Sequence, residues 1–420
     1  MRAKSTSGAA LACVAVLFFA WGFVTSMIDP LVASVRAVFD LSYAEAMLTQ
    51  FAWFIAYGVV SLPAAALVSS KGYTSSILIA IGAMVIGALI IPLATMLEHY
   101  PVVLFGLFVI ASGVTLLQVA ANPLAASMGV PERAHFRLML TQSFNSLGTV
   151  VGPFLGSAIL LSGGIFAAEA ATAADRQASL RAIDVAFFGI GGLFLVLGGF
   201  VWLTRRRIDA VAKSDPPASP LRAFRSGWAL FGALAIFLYV GAEVAIGSML
   251  TAFLHQDRIL GLPLEDAGKF VSIYWFGALL GRFAGIGLLT RVNPSVLLLA
   301  FAAAASALCI AVTQLDGPTA GYLALSIGFF NSIMFPSIFT LTLERSSAPA
   351  AATSGLLCMA IVGGAVLPLA AGLVIDASPL MQTAFFVPLA GYVGVAAFAL
   401  FARTARPIAP SPQRASVATH

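Results

Sequence analysis

LLQVAANPLAASMG, residues 116–129, places Gln118 and Asn122 one helical turn apart in an otherwise apolar, small-residue run, with Pro123 directly after them. A spacing of four points both amides the same way on a helix. TQSFNSLGTVVGPFLG, residues 141–156, adds Gln142 and Asn145 from the next apolar run. Carboxamides on neighbouring hydrophobic helices cannot face lipid, where each unpaired amide costs several kcal/mol. They must face protein or a water-filled cavity, so this stretch reads as a binding site inside a membrane.

Composition supports that class. The 420 residues are 60% hydrophobic and 9% charged, with a mean hydropathy of +1.00, too little polar surface to coat a soluble protein of this size. Apolar runs of spanning length fall at roughly 8–31, 47–68, 76–96, 101–127, 137–161, 185–204, 227–252, 266–290, 294–314, 320–343, 353–376 and 381–403, which predicts an all-α membrane protein of twelve transmembrane helices. The first run follows Arg2 and Lys4 as a secretory signal would, but its length and the absence of a convincing cleavage site make it the first helix.

Of the 22 Lys and Arg residues, all but Arg36, Arg176, Arg181, Arg258 and Lys269 fall on one side if both termini are cytoplasmic. That asymmetry predicts a multi-pass protein of the inner (cytoplasmic) membrane with both termini inside. It also accounts for the net charge of +5 without a nucleic-acid partner, because the excess lies in short loops rather than one patch. Cys13, Cys309 and Cys358 are far apart within spans and read as small packing residues. No phosphate-binding loop, HExxH or Cys/His cluster occurs in the sequence, so neither an ATP-driven pump nor a metalloenzyme is supported and no metal or cofactor is expected.

RRRIDAVAKSDPPASPLRAFRSG, residues 205–227, mixes basic residues with PP and SP between the sixth and seventh runs. It predicts a six-helix bundle at 1–204, a cytoplasmic linker at 205–226, a second six-helix bundle at 227–405 and a disordered tail at 406–420. The bundles repeat: Gly22 corresponds to Gly241, Pro123 to Pro336 and Pro153 to Pro368, at offsets of 219, 213 and 215. In that register Gln118 falls opposite Asn331, so each half carries an amide five residues before a helix-interrupting proline. A repeated bundle with polar groups at equivalent depth is the layout of an alternating-access transporter. Gly148, Gly152 and Gly156, with Gly363 and Gly364 at the matching place, either allow close packing alone or mark a moving interface.

WGFVTSMIDPL, QVAANP, FRLMLTQSFNSLGTVVGP, YVGAEVAIGSML, GRFAG, GFFNSIMFPSIFTLTL and AIVGGAVLPL resemble the blocks of the fucose, galactose and glucose proton symporters of the major facilitator superfamily. The resemblance runs from about residue 15 to 376. It implies a twelve-helix transporter that takes up a monosaccharide with a proton, and works without a further partner as a monomer. It implies protonation at Asp29, and sugar contacts at Gln142 and at Ser26, which stands where the fucose member has an asparagine. Gln118 stands in place of a glutamate, Phe335 of a tyrosine and Glu243 of a glutamine, which aligns the chain with the glucose and galactose branch.

The chemistry of the residues yields a similar set. Asp29 and Glu243 are the two carboxylates well within apolar runs, and a low dielectric favours the neutral form that carries a proton. The alternatives are an interfacial aspartate and an interhelical hydrogen bond at Glu243. Sugar hydroxyls donate and accept at once, so Gln118, Asn122, Gln142, Asn145, Asn331 and Glu243 suit them. Trp21, Phe54, Tyr239, Tyr274, Trp275 and Phe335 offer ring faces, or serve as lipid-facing anchors. Arg282 and Arg291 in GRFAGIGLLTR are assigned to the cytoplasmic side, pairing with an acid or anchoring to headgroups. An uncoupled facilitator and a transporter-like sugar sensor remain as alternatives, the latter favoured by the neutral Gln118.

Overall fold

A long apolar segment satisfies its own backbone in lipid only as a helix, and helices are what these runs form. The computed structural model describes residues 2–27, 31, 35, 38–41, 43–160, 172–210 and 219–408. In chain order they contain α1 (Arg2–Ser26), α2 (Tyr43–Lys71), α3 (Tyr73–Met96), α4 (Tyr100–Ser127), α5 (Ala134–Leu160), α6 (Ala173–Asp209), α7 (Gly227–His255), α8 (Leu264–Leu288), α9 (Pro294–Gln314), α10 (Gly317–Asn331), α11 (Met334–Arg345), α12 (Ala350–Met359), α13 (Gly363–Ala377) and α14 (Phe386–Thr404). Ten segments are long and apolar enough to cross a membrane, with α10 and α11 forming one of them and α12 and α13 another. Ala10–Ser26 is a shorter apolar helix, and α5 adds 27 helical residues. Together these are the twelve expected crossings. Outward-facing Leu203, Val196 and Leu373 are 75%, 73% and 71% exposed, which suits a hydrocarbon solvent rather than water.

The helices alternate in direction, and contacts sort the two ends. One end joins Thr74 Oγ1 to Asp209 (2.6 Å), Ser346 Oγ to Ser226 Oγ (3.2 Å) and Arg345 Nη2 to the Ala402 carbonyl (2.9 Å); it also carries Lys71 and Arg403 and is here the basic end. The opposite end joins Arg176 to Glu98 (2.8 Å) and Arg258 to Asp316 (2.6 Å). α6 continues to Asp209, past residue 204, and Pro220–Arg225 forms a short 3-10 helix. Residues 211–218 and 409–420 lie outside those described.

Glycines set the closest helix approaches. A Cβ on Gly22 would stand 2.1 Å from the Asn145 carbonyl oxygen, on Gly148 2.3 Å from that of Phe19, and on Gly152 2.1 Å from Ser26 Oγ. α1 and α5 therefore touch backbone to backbone within one half. In the second half, a Cβ on Gly363 would stand 2.1 Å from the Phe237 carbonyl oxygen and one on Gly328 2.1 Å from that of Tyr274. A Cβ on Gly364 would instead stand 2.7 Å from the ring of Phe54, in the other half. Across the halves α5 packs on α8 and α11, and α12 packs on α2 and α4.

The expected helix-breaking prolines behave differently from each other. α4 runs unbroken through Pro123 to Ser127, because one missing N–H can be tolerated when another group takes the freed carbonyl. In the second half the helix does interrupt, at Ser332 and Ile333 just before Pro336. Gly148→Val should lower stability by at least about 1–3 kcal/mol, the usual cost of overpacking. Gly189→Ala, with nothing within 4 Å of the added carbon, should be silent; equal melting temperatures for the two variants in detergent would contradict this account of α1 and α5.

Candidate functional site

The polar residues inside the apolar bundle are engaged through carbonyls that prolines release. A helical proline cannot donate to the carbonyl four residues earlier. For Pro123 that carbonyl is Val119, and it accepts from Ser354 Oγ of α12 at 2.9 Å. For Pro336 it is Ser332, which accepts from Arg282 Nε of α8 at 3.1 Å. Arg282 Nη1 also donates to the Gln142 carbonyl of α5 at 2.8 Å and to Ser146 Oγ. One guanidinium thus spans α5, α8 and the break after α10.

Around this cation stand several of the predicted site residues. The Arg282 charge acts on the carboxylate of half-buried Glu243, which also accepts a hydrogen bond from Tyr239. Tyr274 donates to the Glu243 backbone carbonyl (3.2 Å) and accepts from Asn331 Nδ2 (2.6 Å). Gln142 Nε2 donates to Asn122 Oδ1 (3.3 Å). Asn122 and Asn331 are fully buried, yet Asn122 Nδ2 and Asn331 Oδ1 have no hydrogen-bond partner. The Cys358 thiol of α12 lies alongside Asn122. Asn122, Gln142, Arg282, Glu243 and Asn331 thus form one connected set drawn from both halves.

Other candidates stand apart from it. Gln118 Nε2 donates to Tyr57 of α2 (2.6 Å). Asn145 Nδ2 is spent on the Phe18 carbonyl of α1 (3.1 Å), and Ser26 Oγ on that of Phe23 (3.0 Å); both sit in the tight contact between α1 and α5. Phe335 is 9% exposed and stacks on Phe339 at 5.8 Å. Trp21 packs on Phe18 at 5.1 Å. Tyr239 and Tyr274 are buried and hydrogen-bonded, whereas Trp275 is exposed. Asp29 lies outside the described residues.

The profile of the Major Facilitator Superfamily matches residues 11–357. The chain belongs to the Major Facilitator Superfamily. It is 40% identical over 398 residues to the glucose/galactose transporter of Brucella abortus biovar 1 (strain 9-941), covering 94% of each chain. It is 28% identical over 400 residues to the L-fucose-proton symporter of Escherichia coli (strain K12), covering 92% of this chain and 91% of that one. Among solved structures, FucP in the outward conformation superposes with a TM-score of 0.81 at 25% identity, over 94% of this chain and 99% of the other. Membership of this superfamily makes the protein a multi-pass membrane transporter and not an enzyme.

In this superfamily member, Arg282 meets the first of its two expected roles, since its charge acts on the acid Glu243. Six residues, or about 9 Å of helix, separate it from the end of α8 at Leu288, and its other partners, on α5 and at the helix break, were not expected. Sequence reading also missed Tyr57, Ser146, Ser354 and the pair His135 and Glu344, for which aromatic and hydroxyl types carry no positional signal. Removing Arg282 leaves the Ser332 and Gln142 carbonyls unpaired, so Arg282→Leu should cost about 1–3 kcal/mol per acceptor lost. Because the Glu243 charge is then uncompensated, Arg282→Leu with Glu243→Leu should recover part of that loss. Strict additivity in detergent melting curves would remove the interaction between the two charges.

Proposed function

We propose that this transporter imports a hexose of the glucose and galactose type by proton symport through alternating access, from the inner membrane with both termini cytoplasmic. The observation that carries the sugar reading is the pair of buried, unpartnered amide atoms, Asn122 Nδ2 from one half and Asn331 Oδ1 from the other. Buried polar atoms are nearly always bonded. A donor and an acceptor left open on opposite halves suit a polyol, each hydroxyl of which gives and takes one hydrogen bond. The 40% identity to a glucose/galactose transporter supports the choice of hexose, and the likeness to an L-fucose-proton symporter supports coupling to protons.

In this reading Asn122, Gln142, Asn331 and Glu243 contact the sugar, as does Gln118 of α4 on leaving its bond to Tyr57. Phe335 lends a ring face, while Asn145 holds α1 against α5, with Ser26 packed in the same contact, so that Gln142 keeps its direction. Residues 1–204 and 227–405 move as two rigid bundles joined by a linker at 205–226. Asp29 and Glu243 carry the proton. Arg282 sits between the Glu243 carboxylate and the Gln142 helix, so neutralising Glu243 weakens one of the attractions holding α8 in its present bonds. The basic end is cytoplasmic, and the protein acts as a monomer.

Uptake of a hexose panel into vesicles, with and without a proton uncoupler, tests this reading. Glucose or galactose should outcompete fucose, and the uncoupler should abolish accumulation; preference for fucose would overturn the substrate, and accumulation indifferent to the uncoupler would overturn the coupling. Gln142→Ala should weaken hexose binding by about 1–3 kcal/mol, the cost of one unsatisfied buried partner, with expression intact, as read by calorimetry on the purified protein. Asp29→Asn and Glu243→Gln should each lose gradient-driven accumulation while keeping counterflow of labelled hexose. Accumulation retained in both would sink coupling through these carboxylates.

A further inference from the structure

Among the described residues, an ionisable pair outside the central set joins the two halves at the basic end. His135, the second residue of α5, is buried. Its Nε2 lies 2.9 Å from Oε1 of Glu344 on α11, and its Nδ1 is hydrogen-bonded with Thr340 Oγ1. Thr340 and Glu344 are four apart on α11, hence on one face. The Thr340 hydroxyl lies 2.7 Å from the Pro336 carbonyl and 3.3 Å from that of Ser337, the usual back-bond of a helical threonine. With its proton on a carbonyl, its oxygen accepts and Nδ1 donates. The carboxylate accepts, so Nε2 donates to Glu344. In that arrangement the ring donates from both nitrogens and is an imidazolium.

We infer that His135 is a proton-carrying latch, in which the charged ring clamps α5 to α11 across the halves and releases the cytoplasmic end when its proton leaves. The inference rests on the alternating-access reading and adds a third titrating residue to it. Loss of the proton, to water at that end, removes one of the two donors and the ion pair together. The latched state is thus full while the ring is charged and is lost as rising pH removes its proton.

The surrounding charges leave Glu344 as the partner of the ring. On α11 the Arg345 Nη1 donates to the other carboxylate oxygen of Glu344 at 3.2 Å, and Arg345 is otherwise spent on the Leu341, Ala402 and Ala405 carbonyls. On the segment bearing His135, Glu132 and Arg133 are exposed, and Arg137 is bonded to the Ala125, Ala126 and Val130 carbonyls. From α8 come Arg282, held by Gln142 and Ser146, and exposed Arg291 just beyond the helix. α6 brings Arg205, Arg206 and Arg207, and α1 carries Arg2 and Lys4 in its sequence.

The test uses the full chain in lipid nanodiscs without sugar, spin-labelled at cysteines replacing exposed Arg206 and Arg403; the three native cysteines are buried. Between pH 5.5 and 8, the ratio of short to long label distances should fall with rising pH, by up to about tenfold per unit for one linked proton. His135→Lys, a fixed cation, should hold the short distance throughout. His135→Gln and Glu344→Gln should favour the long distance and be flat with pH. A flat wild type, or a wild-type slope persisting in His135→Lys and His135→Gln, would overturn the latch. Counterflow of labelled hexose by wild type is measured in parallel. Its absence would sink the sugar reading and leave the distance result standing on its own.

Discussion

A carbonyl released by proline inside a membrane has no water to turn to, and that constraint organises the centre of this transporter. An unpaired carbonyl in low dielectric costs several kcal/mol, so each release demands a donor from elsewhere. Ser354 supplies it to Val119, binding α12 of one half to α4 of the other. Arg282 supplies it to Ser332 and, having further N–H groups in its planar fork, reaches Gln142 and Ser146 of the opposite half. Two backbone defects at equivalent places in the repeat thus become two ties between the halves.

Those ties also explain why the polar set lies where it does. Arg282 brings a full charge to the middle of the bundle, which is costly unless compensated. Glu243 compensates it; Tyr239 bonds the Glu243 carboxylate and Tyr274 its backbone carbonyl. The amides Asn122 and Asn331 then sit on either side with capacity to spare. Hydrogen bonds inside such a set strengthen in low dielectric, so its geometry is stiff, with open valence left on one amide of each half.

The crossings, their number and the recurring glycines and prolines were legible because each follows from local chemistry: hydropathy at period 3.6, and the missing N–H of proline. The amides were legible for a related reason, since Gln118, Asn122, Gln142 and Asn331 have no tolerable place on a lipid-facing surface. Arg282 was legible only in part. Lying nine residues before Arg291, it reads as part of a basic helix end that pairs with an acid or a headgroup, and only the position of Ser332 and Gln142 in space shows which carbonyls it holds. His135 and Glu344 are separated by more than two hundred residues, and nothing in either neighbourhood names the other. Proline carbonyls were the unused clue: asking what bonds the residue four before Pro336 leads to a donor search and hence to Arg282.

One guanidinium holds the central set together across the halves. Arg282 donates to the two halves at once while its charge is balanced by Glu243, so the same side chain that joins α5 to α8 also feels whether Glu243 is ionised. A neutral Glu243 leaves the cation with backbone and hydroxyl acceptors alone; these are dipoles, weaker than a carboxylate at equal distance. The contact between the halves therefore answers directly to the charge on Glu243, and needs no longer path through the bundle.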